Sequence, residues 1–93
     1  MTKEKYLEAI ENLRQYFKKK EIPKIDYPHN EFIDPCFPDI CLVHCHGMLD
    51  KMLEFLEQGR IDKVNRWLGF IQGVLWRSGL FTLDDLKNMN KPD

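Results

Sequence analysis

The chain has 93 residues, with 14 Lys and Arg against 15 Asp and Glu and a net charge of -1. That length fits one small domain with a single core rather than two, and the balanced charge excludes the basic footprint of a general nucleic-acid binder. A domain this short buries a small share of its surface and gains from self-association, so a homo-oligomer is expected.

The N-terminus, Met1-Thr2-Lys3-Glu4-Lys5, is charged and leads directly into a helical pattern with no apolar signal region. Tyr6, Ile10, Leu13 and Phe17 recur at steps of four, three and four, which predicts helix 3–20 with one buried stripe. Thr2 is placed as N-cap, and Lys18, Lys19 and Lys20 complement the negative end of the helix dipole.

Residues 21–37 form a Pro-rich connector, because Pro23, Pro28 and Pro35, with Pro38 just beyond, forbid a continuous helix. Ile22, Ile25, Tyr27, Phe32, Ile33 and Phe37 are too many apolar groups for a solvated linker, so the connector is expected to wrap against the helices. If Tyr27, Phe32 and Phe37 stay exposed instead, they offer contacts for a direct protein–protein inhibitor.

A second helix is predicted over 38–58, starting at Pro38 and stopping at Gly59. A third follows over 61–78 and stops at Gly79, and the short link between them makes an antiparallel hairpin. Thr82 with Asp85 three residues on, and Phe81 placed against Leu86, predict a short helix 83–89. The fold expectation is therefore all-α: a small bundle of three main helices plus a short C-terminal helix, around a central hairpin.

The second helix carries the chain's one constellation of metal-ligand types. Cys41, His44 and Cys45 share a helical face, and Cys36 or His29 can arrive from the connector as a fourth ligand; zinc is the natural occupant of such a set. The competing reading buries Cys41 and Cys45 in the apolar stripe as small hydrophobes. Three cysteines close in sequence make a poor disulfide framework and fit a reducing, cytoplasmic location. No nucleophile–base–orienter set is visible, so a non-enzymatic protein is expected.

The third helix has apolar residues over about half its circumference, wider than one neighbour needs. It is therefore expected at the centre of the bundle, with Gly69, Gly73, Trp67 and Phe70 in helix–helix or subunit contacts. Two glycines inside a helix cost about 1 kcal/mol each relative to alanine, which points to a close approach at that backbone. The longest apolar stretch, between Leu68 and Trp76, is broken by Gly69, Gln72 and Gly73 and falls far short of the roughly 20 residues that span a bilayer. Beside the glycines, Trp76 offers a stacking surface, Asn65 and Gln72 donors and acceptors, and Arg66 and Arg77 planar cations. Those are the groups that hold a small anionic planar ligand such as a nucleotide.

The segment Arg66-Trp67-Leu68-Gly69-Phe70-Ile71-Gln72-Gly73-Val74-Leu75-Trp76, followed by Gly79, Thr82-Leu83-Asp84-Asp85-Leu86 and Asn90, resembles small helical accessory proteins carried by phages and prophages. The resemblance runs from His44 onward and implies a protein that works by occupancy in the host cytoplasm, blocking a host defence protein or sequestering a nucleotide signal. In size and outline the chain is also similar to phage sponges that hold cyclic oligonucleotides as oligomers.

Overall fold

A computed structural model describes residues 2–90. Helices α1 (Lys3–Lys19), α2 (Ile40–Glu57), α3 (Ile61–Arg77) and α4 (Leu83–Asn90) follow in chain order, and no strand occurs among the described residues. This is the expected all-α bundle of three main helices and a short fourth.

Helix α1 forms as its pattern requires. The Thr2 hydroxyl accepts from the Lys5 N–H at 3.2 Å, and Tyr6, Ile10, Leu13 and Phe17 are all buried. The chain leaves α1 through Glu21, whose φ of 57° is left-handed; the Ile22 N–H closes on the Phe17 carbonyl at 2.9 Å. The same wrap ends α2 and α3, where Arg60 N–H reaches Phe55 and Leu80 N–H reaches Leu75, but there Gly59 and Gly79 occupy the left-handed position. At the start of α4, the Asp85 N–H donates to the Thr82 hydroxyl while the Thr82 N–H donates to the Asp85 carboxylate, a reciprocal cap.

The central rod is α2, not α3. Helix α2 packs against both α1 and α3, burying Leu42, Val43, Cys45, Met48, Leu49, Met52, Phe55 and Leu56. Its start lies two residues later than the proline suggested, since residues 37–39 make hydrogen-bonded turns leading into Ile40. On α3 only Val64, Leu68, Ile71 and Leu75 are buried, one ordinary stripe turned to α2, with Trp67 and Val74 at its edge. Phe70 is 55% exposed. The broad apolar arc of α3 thus exceeds what the described residues cover.

The connector divides into two parts. Its first part is a strap tied to α2 at three points: Ile22 carbonyl to His46 Nδ1 at 2.8 Å, Ile25 N–H to the Val43 carbonyl at 3.2 Å, and Tyr27 N–H to His44 Nδ1 at 3.1 Å. Gly47 permits this approach, because a Cβ there would sit 2.7 Å from the Ile25 carbonyl oxygen. The second part turns outward and leaves Phe32 98% and Phe37 67% exposed, so the expected wrapping holds only for the strap.

Candidate functional site

The strap stands away from the far edge of the α2–α3 hairpin and leaves a cleft. Its first cavity, about 380 Å³, is walled by Asp26 and His29 from the connector, His44 and Lys51 from α2, and Arg66, Trp67 and Phe70 from α3; Gly47 and Met48 complete it. Three segments distant in sequence therefore contribute cations, rings and one carboxylate to a single concavity.

Each polar group has a definite state or partner. A backbone N–H can only donate, so the Tyr27 N–H fixes Nδ1 of His44 as an acceptor and leaves the ring proton of the neutral imidazole on Nε2. No acceptor for Nε2 occurs among the described residues. The Asp26 carboxylate lies 3.1 Å from His29 Nε2 and 3.9 Å from His44 Nδ1. The His29 hydrogen bond, opposed by burial and supported by the charges of His29 and Lys51, holds Asp26 below the ordinary carboxylate range. Neither Lys51 nor Arg66 forms an ion pair among the described residues, including the Asp62–Arg66 pair that their spacing offers. The cleft thus presents two unneutralised cations and a neutral N–H donor against a single carboxylate that is already engaged.

The aromatic groups are held from behind. Trp67 meets Phe55 edge-on at 4.9 Å with the Lys63 ammonium 5.8 Å from its ring, and Phe70 meets His44 edge-on at 6.4 Å. Such a set stacks or edges a flat ligand while the cations bind its charge.

Of the residues expected to contact a ligand, Arg66 alone lines this cleft. Asn65 accepts from the Tyr6 hydroxyl at 2.6 Å and so links α3 to α1. Gln72 donates to Met89 Sδ at 3.6 Å and links α3 to α4. Trp76 is 53% exposed, and Arg77 borders a shallow groove that Gly69, Phe70 and Gly73 also line. Trp67 and Phe70, expected in helix contacts, meet Phe55 and His44 of α2 and are at the same time two of the cleft's rings. A Cβ at Gly69 or Gly73 would meet nothing within 4 Å, so among the described residues no helix crosses there. Asp26, His29 and Lys51 line the cleft from positions that the spacing of α3 alone could not reveal; the interior glycine Gly47, preceded by His44 and His46, was the available signal.

The expected metal set does not assemble. Among the described residues, no three His, Cys, Asp or Glu side chains gather where they could hold an ion. Cys45 is fully buried in the core, with its thiol pushed up to about 12 by burial and then by the neighbouring Cys41. The Cys41 thiol donates to the Pro38 carbonyl at 3.0 Å, and His44 Nδ1 is taken by the strap. Cys36 lies exposed on the connector, where its N–H donates to Asp34. Among the described residues, no helix is long and apolar enough to cross a membrane. No family model, curated protein or solved structure matches the chain.

Proposed function

We propose that this chain is a non-enzymatic binding protein that acts by occupancy, holding a small anionic ligand in the cleft between the strap and the α2–α3 hairpin. One observation carries this reading: Lys51 and Arg66, without an ion pair among the described residues, share one concavity with Trp67, Phe70 and the Nε2–H of His44. Charge-assisted bonds in a partly desolvated, ring-lined site favour an anion over a neutral molecule. Binding is favoured over catalysis because the thiols near His44 are engaged or held protonated. The resemblance to phage and prophage accessory proteins supports a role in which the captured molecule is withdrawn from a host pathway. Thermal unfolding against a panel of mononucleotides and simple anions tests it. At least one anion raises the melting temperature of the natural chain, and the Lys51→Ala/Arg66→Ala double variant loses that rise; a flat panel contradicts the reading.

Self-association belongs to the same proposal. Gly69 and Gly73 lie on the outer side of α3, where alanine would fit and favour the helix, and exposed Phe70 and Trp76 flank them. The fold gives no reason for these glycines, which supports close contact with a second copy. Light scattering tests this: Gly69→Ala and Gly73→Ala weaken the assembly while stabilising the isolated helix, and unchanged assembly contradicts it. A direct protein-blocking role is the second reading, favoured by the exposure of Phe32 and Phe37 on the outward half of the connector. Capture of a host protein that is lost on Phe32→Ser/Phe37→Ser supports that role; capture unaffected by the double variant contradicts it.

A further inference from the structure

The cleft does not end at its first cavity. A second, of about 330 Å³, lies on the other side of His29, His44 and Phe70, which line both. These three rings form a waist: the His44 ring meets His29 edge-on at 6.0 Å and Phe70 edge-on at 6.4 Å. The two lobes differ in chemistry. Lys51 and Arg66 belong to the first alone. Tyr27, Pro28, Ile33, Cys41 and Glu31 belong to the second alone, so its only fixed charge is a carboxylate. The outer wall of that lobe is braced where the Tyr27 hydroxyl donates to the Phe32 carbonyl at 3.1 Å.

We infer that the ligand is two-lobed: a phosphate lies in the Lys51–Arg66 lobe, and a planar, amine-bearing heteroaromatic group lies in the Tyr27–Glu31 lobe, joined across the Phe70–His44 waist. This inference rests on the proposed anion binding and extends it to the rest of the molecule bound. The oxyanion takes the two cations and the Nε2–H of His44, which the strap has fixed as a donor. The flat group takes the apolar and aromatic walls, and its amine donates to the Glu31 carboxylate. Each lobe alone is at the small end of ligand pockets, about 300 Å³, so a ligand confined to one of them leaves the other's recognition groups unused. A nucleoside monophosphate is the smallest common molecule with both halves.

Calorimetry on the full chain with adenosine monophosphate, inosine monophosphate, adenosine and inorganic phosphate tests the inference. Adenosine monophosphate binds at least about tenfold more tightly than adenosine or phosphate, the factor expected for a charge-assisted bond gained or lost. Inosine monophosphate, which lacks the amine, binds more weakly than its adenosine counterpart, and Glu31→Gln removes the difference. Arg66→Ala reduces the advantage of the phosphate, whereas Phe70→Ala weakens adenosine monophosphate and adenosine together. Both side chains are exposed, so these variants keep the core intact. Phosphate binding as tightly as adenosine monophosphate would overturn the two-lobed ligand while leaving anion capture standing. No binding by any of the four overturns the two-lobed ligand and leaves anion capture to the wider panel; equal binding of adenosine and adenosine monophosphate overturns both.

Discussion

The Tyr27 backbone N–H and His44 Nδ1, 3.1 Å apart, join the connector to the central helix and at the same time set the hydrogen-bonding sense of the cleft. Because the amide cannot accept, the histidine must do so, and its one remaining proton is presented from Nε2. A structural tie thereby makes a neutral donor beside two cations. His46, two residues on, receives the strap in the opposite sense, with Nδ1 donating to the Ile22 carbonyl; its Nε2 is buried without a partner among the described residues.

The strap's seat depends on the absence of one side chain. Gly47→Ala forces a Cβ to within 2.7 Å of the Ile25 carbonyl oxygen, a backbone atom that cannot rotate away. We expect a loss of about 1–3 kcal/mol in urea unfolding, typical of overpacking, with faster amide exchange at Ile25 and Tyr27. Unchanged exchange at those two amides would show that the strap is not held as described.

Glu21 occupies the left-handed position that Gly59 and Gly79 occupy elsewhere, with φ 57° against 74° for both glycines. A side chain in that conformation costs roughly 1 kcal/mol, so Glu21→Gly is expected to stabilise the fold by about that amount despite the greater freedom it gives the unfolded chain. Thermal or urea unfolding reads this directly, and a destabilised variant contradicts the strain.

Asp50 bridges α1 and the strap, taking Arg14 at 2.9 Å and Lys24 at 3.0 Å. The hydrogen bond from Lys24, then the charges of Lys24 and Arg14, hold its carboxyl below the ordinary carboxylate range, against a raising effect of burial. A lowered folded value means that the stabilisation is complete above the ordinary range and fades as pH falls through the folded value. Asp50→Asn therefore costs at most about 1 kcal/mol per exposed ion pair at neutral pH, and its deficit shrinks below about pH 4. Urea midpoints at pH 7 and pH 3 check the sign; a deficit equal at both pH values contradicts it.

Much of the fold was legible because its signals are local. The Tyr6–Phe17 periodicity, the stops at Gly59 and Gly79 and the Thr82–Asp85 cap all depend on residues within one or two turns of each other. Local rules failed where long-range contacts decide. The apolar width of α3 suggested a central helix, yet α2 took that place because the chain wraps α1 and the strap around it. The glycine rule drew attention to Gly69 and Gly73, which are open in this chain, and passed over Gly47, where another backbone does approach. Arg66 was identifiable from its surroundings on α3, but Asp26, His29 and Lys51 meet it only after the connector folds back, a juxtaposition that spacing does not encode. The cysteine–histidine spacing did place three potential ligand residues on one helix; the core claims Cys45, while the Pro38 carbonyl and the strap engage the other two.

The most direct test of the cleft is an amide and side-chain NMR titration of the natural chain with adenosine monophosphate. Resonances of Asp26, Tyr27, His44, Lys51, Arg66 and Phe70 should shift together and saturate, with the Trp76 indole and the Gln72 amide unmoved. Shifts centred on Trp76 and Gln72, or none at the six cleft residues at millimolar ligand, would contradict the assignment.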